Sequence, residues 1–271
     1  MASKAAPTRQ QKHLAVLIDA DNAPAAIVEG LFEEIAKYGI ASVKRIYGDW
    51  TSPQLGGWKK TLLDYSIQPM QQFAYTTGKN ATDSSLIIDA MDLLYTGRFD
   101  GFCLVSSDSD FTRLAVRLRE EGLTVYGFGE QKTPKPFVSA CDKFIYTEIL
   151  RAETEANKTQ AAFNVPEREE SPITAGTKVV TPPPPKPVKQ KTPVALITKA
   201  IEDISDEDGW SHLGALGPNI TKLQSDFDVR LYGYSKLSDL IRHYSAQFEL
   251  EERGATATGG KSLYVRNRKS K

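Results

Sequence analysis

Cysteine and histidine are scarce. The 271 residues hold two cysteines and three histidines. Cys103 and Cys141 both lie in apolar, strand-like stretches, so they read as buried thiols; their spacing fits no zinc pattern. His13, beside the first strand, reads as incidental, and no histidine general base is supported. Charge of one sign is missing too. Lys plus Arg and Asp plus Glu each number 34. No global basic field advertises a nucleic-acid partner, and any such binding must use local patches. No apolar run approaches the ~18 residues of a membrane helix. Residues Met1 to Gln11 do not resemble a signal peptide, so no membrane association and a cytoplasmic location are expected.

What remains is the composition of an ordinary globular chain, 40% hydrophobic and 25% charged, long enough for one large domain or two modest ones. Residues 1–12 are polar and expected to be disordered. From residue 13 to 150, apolar runs alternate with helical spacing. Strands are expected at Leu14–Ile18, Ala41–Tyr47, Ile67–Phe73 (weakened by Pro69), Gly101–Val105, Leu123–Phe128 and around Phe144–Ile145. Helices are expected from Pro24 to Tyr38, from Pro53 through Leu63, over Thr82–Tyr95, over Thr112–Arg119 and around Pro136–Ala140. Such alternation predicts an α/β fold, a parallel sheet covered by helices on both faces. Residues 151–192 lose periodicity and contain Thr181-Pro182-Pro183-Pro184-Pro185-Lys186-Pro187, a polyproline-type spacer. Residues 193–268 form a second, smaller domain: a helix at Val194–Ile204, one around Trp210–Leu216, one around Ile220–Phe227, and one capped by Ser235. Two strands around a long turn follow, the order of a winged helix-turn-helix. Residues 269–271 are a basic tail.

The chemistry concentrates at strand ends. Phe102–Val105 stops abruptly in Ser106-Ser107-Asp108-Ser109-Asp110, and Leu14–Ile18 stops in Asp19-Ala20-Asp21-Asn22. In a doubly wound sheet, the first and fourth strands flank the switch point where ligands bind. The helix carrying Asp83 starts at that same end. Carboxylates gathered there repel one another. A divalent cation relieves the repulsion, and oxygen-only ligands favour Mg²⁺ or Mn²⁺ over zinc. Asn22 and Ser106 are candidate orienting groups, and Lys79 a candidate phosphate contact. Each aspartate alone has a plainer reading as a turn former or helix cap, and Lys79 as an exposed loop lysine. Asp89 and Asp92 fall on other sides of their helix and read as solvated charges. Asp49, also after a strand, is an outside candidate.

Three segments in order, Leu17-Ile18-Asp19-Ala20-Asp21-Asn22, Lys79-Asn80-Ala81-Thr82-Asp83 with Ile88-Asp89-Ala90-Met91-Asp92-Leu93-Leu94, and Val105-Ser106-Ser107-Asp108-Ser109-Asp110-Phe111, resemble the NYN domain family. These are PIN-like nucleases that include the LabA/DUF88 branch. The resemblance implies a Rossmann-like α/β/α fold and Mg²⁺-dependent RNA cleavage, with the acidic positions falling on Asp19, Asp83, Asp108 and Asp110. Asp208-Gly209-Trp210, the segment Asp226 to Leu240 with Tyr232-Gly233-Tyr234-Ser235-Lys236-Leu237, and Tyr264-Val265-Arg266 resemble the OST-HTH/LOTUS domain. That likeness implies RNA binding, of structured or G-rich RNA in parts of the family and of protein partners elsewhere in it. Lys236, Arg242, Lys261, Arg266 and Arg268 are the candidate RNA contacts; Trp210, Phe227 and Tyr232 read as core. The expected function is a metal-dependent ribonuclease whose LOTUS domain holds RNA. The alternative is an RNA- or protein-binding adaptor whose NYN domain cleaves little.

Overall fold

The computed structural model describes residues 11–73, 81–151, 192–255 and 261–268. The expectations for the N-terminal arm, the Gly78–Asn80 loop with Lys79, the Pro-rich spacer and the basic tail lie outside these residues. By contacts the chain divides into two units, 1–151 with 214–227, and 152–213 with 228–271.

In the first unit the strands are β1 (His13–Asp19), β2 (Ile40–Gly48), β3 (Gln68–Gln71), β4 (Gly101–Val105), β5 (Thr124–Gly129) and β6 (Lys143–Tyr146). They form one parallel six-stranded sheet in the order β3-β2-β1-β4-β5-β6. The order reverses direction between β1 and β4, which makes their carboxyl ends the switch point. All five residues of β4 and six of the seven in β1 are buried, as expected for strands covered on both faces. β3 lies at an edge, where Pro69 removes no central ladder bond.

The helices are α1 (Val28–Ala36), α2 (Gly56–Thr61), α3 (Ala81–Tyr95), α4 (Thr112–Glu120) and α5 (Lys135–Ala140). The entries to α1 and α2 are short 3₁₀ turns at Ala25–Ile27 and Pro53–Leu55. Leu14, Val16 and Ile18 on one face of β1 join a core with Ile27, Leu31 and Ile35 of the α1 segment and with Trp58 of α2. The other face of β1 meets α3. Asp19 pairs in register with Tyr47, and the Tyr47 hydroxyl donates to Asp89 of α3 at 2.9 Å.

The C-terminal region contains α6 (Val194–Ile204), α7 (Leu213–Leu223) and α8 (Leu237–His243). It also contains a three-stranded sheet of β7 (Ser211–His212), β8 (Phe248–Ala255) and β9 (Lys261–Asn267), in the order β7-β9-β8. Helices and an antiparallel wing give a small winged helix. Two expectations need correction. The helices anticipated on either side of Pro218 are one continuous helix, α7, with Pro218 inside it; Trp210 precedes it and leads into β7. The cap of α8 is Lys236 rather than Ser235, and no side chain bonds to the helix start there. Among the described residues no helix is long and apolar enough to cross a membrane.

Candidate metal centre and its surroundings

β1 ends on Asp19, which is fully buried. The register Ile18↔Val105 sets the residue after β4, Ser106, beside it. The Ser106 hydroxyl donates to Asp19 Oδ2 at 2.8 Å, and Asn22 Nδ2 donates to the same oxygen at 2.8 Å. Asp19 Oδ1 accepts the Asp21 backbone N–H at 3.1 Å. Burial pushes the Asp19 carboxyl above its usual range, while the bonds from Asn22 and Ser106 oppose that. The Ser106 hydroxyl oxygen also accepts the Asp108 N–H at 3.0 Å. One serine therefore ties the two strand ends together. Space beside it is tight: a Cβ at Gly129 would lie 2.6 Å from the Ser106 carbonyl oxygen.

Asp108 is extended, caps the 3₁₀ turn Ser109–Phe111, and accepts the Asp110 N–H at 2.9 Å. The cap reading and the cluster reading thus hold together. One carboxylate oxygen each from Asp83, Asp108 and Asp110 lie within 4.8 Å of one another. Burial first, then the charges of Asp19, Asp108, Asp110 and Asp21, push the Asp83 carboxyl up to about 6. Asp19 is a neighbour of this trio rather than a member of it. Thr82 at the start of α3 reaches Asp21 Oδ2 at 3.5 Å.

The donor set suits a hard divalent cation. All three groups are carboxylate oxygens. Octahedral Mg²⁺ bonds at ~2.1 Å place opposite ligands about 4 Å apart, so small side-chain shifts would close the trio on an ion.

Other candidates fall elsewhere. Asp49 Oδ1 is held by Thr51 and by Gln71 Nε2 at 2.9 Å, at the ends of β2 and β3. Asp92 is exposed, as expected. Asp89 is not a solvated charge: it accepts from Arg45 Nη1 at 2.8 Å as well as from Tyr47. These partners come from β2 and could not be read from helical spacing.

In the C-terminal region Lys236 and Arg268 are exposed. Arg242 pairs with Asp239 at 3.1 Å. Arg266 pairs with Glu249 at 2.8 Å and lies 4.5 Å over the Trp210 ring, and Arg253 covers the same ring at 4.2 Å. The Lys261 side chain lies outside the described residues. Arg253 was missed because only the pairing of both β7 and β8 with β9 brings it to Trp210 and Tyr264.

Residues 13–150 match the NYN domain family, slightly more than half of the chain. The chain belongs to the NYN domain family. Residues 186–258 match the OST-HTH/LOTUS domain. The NYN domain is a PIN-like, nuclease-like α/β domain, here joined to a domain of an RNA-binding family. A protein of unknown function from Vibrio parahaemolyticus, VPA0982, is similar at 19% identity with a TM-score of 0.43, over 51% of this chain and 94% of its own. An uncharacterised protein from gene locus NE0665 of Nitrosomonas europaea is 36% identical with a TM-score of 0.30, over 38% of this chain and 95% of its own. No curated protein matches the chain.

Proposed function

We propose that this protein is a Mg²⁺- or Mn²⁺-dependent ribonuclease that hydrolyses RNA phosphodiester bonds while its LOTUS domain holds the RNA. The observation that carries the reading is the trio of carboxylate oxygens from Asp83, Asp108 and Asp110 within 4.8 Å at the switch point of an NYN domain. These three would hold the cation, with Asp19 as the fourth acidic group at the strand end. When bound, the ion supplies charge neutralisation for the phosphate and a water of lowered pKa. The chain's own part is positional. Ser106 and Asn22 fix the Asp19 carboxylate, and Ser106, by accepting the Asp108 N–H, also fixes the turn that presents Asp108 and Asp110. Substrate phosphate enters beside Asn22, and Lys79 is assigned to orient it.

Lys236, Arg242, Lys261, Arg266 and Arg268 are the proposed RNA contacts of the LOTUS domain, with exposed Lys236 and Arg268 contributing most. Structured or G-rich RNA is the proposed ligand class. Two free, buried cysteines suit a reducing compartment, and we assign the activity to the cytoplasm.

The test is cleavage of single-stranded and structured RNAs in Mg²⁺ or Mn²⁺ by wild type and by Asp108→Asn. The amide keeps an acceptor for the Asp110 N–H but removes the charge. A fall in rate of about a hundredfold or more is expected. Equal, metal-independent cleavage by both proteins refutes the reading. RNA binding without cleavage by wild type favours the adaptor instead.

A further inference from the structure

An open cavity of about 590 Å³ adjoins the acidic cluster on the α1/α2 side of the sheet. Asp21 and Asn22 line it and connect it to the surroundings of the cluster: Asn22 bonds to Asp19, and Asp21 accepts from Thr82 of α3 at 3.5 Å. Its volume is in the range of small-ligand sites. The wall is built rather than incidental. Trp58 is buried, and its indole N–H donates to the Ala23 carbonyl at 2.8 Å, which locks α2 against the turn after β1. Gly57 lines the cavity without a side chain, and a Cβ there would press on the Ala25 methyl at 3.3 Å. Exposed Gln54 at the rim carries an amide donor and an amide acceptor.

Charge decides what fits. Asp21 and Glu130 both line the cavity, and the nearby Lys132 ammonium is already held by Glu130 at 2.7 Å. Glu130 also lies 4.0 Å from Arg151, which leaves Asp21 and the adjoining acidic cluster to repel a phosphate there, whereas an uncharged base is not repelled. We propose that this cavity receives an unpaired nucleobase of the RNA strand whose phosphate meets the acidic cluster. The proposal rests on the ribonuclease reading for the identity of the strand. The base lies against the Gly57 surface, Gln54 bonds its edge, and the backbone stays outside over Asn22. Duplex RNA cannot enter without unpairing that base.

Photocrosslinking tests this. Full-length protein in Mg²⁺ is mixed with a short single-stranded RNA carrying one 4-thiouridine, irradiated at once on mixing, and the labelled peptides are mapped. Label is expected on residues 20–25 or 53–58. Gly57→Leu, which crowds the wall the base lies against, is expected to lower it about tenfold. Gln54→Ala is expected to lower it about threefold, and Lys60→Ala, exposed on the same helix, should leave it unchanged. Label confined to other surfaces, or undiminished in Gly57→Leu, overturns the proposal; if Gly57→Leu fails to fold, the Gln54→Ala result decides. Parallel cleavage assays separate the two readings. Cleavage without cavity label removes the base site alone, and cavity label without cleavage by wild type removes the nuclease alone.

Discussion

Asp83→Asn is expected to stabilise the metal-free protein and to destroy its response to metal. The Asp83 carboxyl is raised from 3.8 to about 6 by burial and by four neighbouring aspartates. Its folded-state value therefore lies above its unfolded one, so the folded protein binds this proton more tightly. The ionised group costs stability at any pH above about 6, and that cost disappears as pH falls through this value toward 4. About two pKa units correspond to a ceiling of ~3 kcal/mol. Asp83 is partly exposed, and solvent screening reduces this to about 1 kcal/mol. The variant should show that gain near pH 8 in EDTA and little of it near pH 4. Because the chain has two units, a global unfolding midpoint is a poor readout. Amide hydrogen exchange along β1 and β4 reports the site directly, and 1 kcal/mol appears as about fivefold slower exchange where opening is sub-global. Mn²⁺ should then slow exchange further in wild type and not in Asp83→Asn. A variant less protected than wild type in EDTA near pH 8, or a gain that does not change with pH, refutes the electrostatic account.

Ser106→Ala removes the hydroxyl that joins Asp19 to the Asp108 N–H. It leaves a buried carboxylate one donor short, at a cost of about 1–3 kcal/mol. Cleavage rate should fall at saturating RNA with little change in KM, and an unchanged kcat would remove the positioning role. Lys236→Ala and Arg268→Ala should each weaken RNA binding across sequences and reduce the salt dependence of affinity by about one counterion. An unaltered salt slope in both variants would show that RNA does not lie on this face.

The parallel sheet was legible because buried strands read as continuous apolar runs: Gly101–Val105 is β4 as expected, and Leu14–Ile18 is β1 with one residue added at each end. The acidic ends were legible because both runs stop abruptly. What stayed hidden depends on partners far along the chain. Asp89 looked solvated from its own helix, yet Arg45 and Tyr47 approach it from β2. Arg266 looked like a free cation, yet Glu249 faces it across the hairpin and Trp210 lies beneath it. The stretches around Trp210–Leu216 and Ile220–Phe227 read as two helices, yet α7 runs through Pro218 with Leu216 and Ile220 on its buried side.

Strand register sets which face of the sheet carries the acidic cluster. Along β1, Leu14, Val16 and Ile18 point into the core shared with α1. Side chains alternate along a strand, so Asp19 points to the opposite face. Its register partner Tyr47 reaches Asp89 on α3, so that face is the one α3 covers. The helix that brings Asp83 therefore arrives on the side to which Asp19 already points. A slip of one residue in β1 would turn Asp19 into the α1 core and set an apolar side chain against Ser106. The same alternation explains the cavity's position. After Asp19 the chain runs through Asp21 and Asn22, which line the cavity while still bonded to Thr82 and Asp19. The acidic cluster on one side and the open cavity on the other follow from the parity of one buried strand.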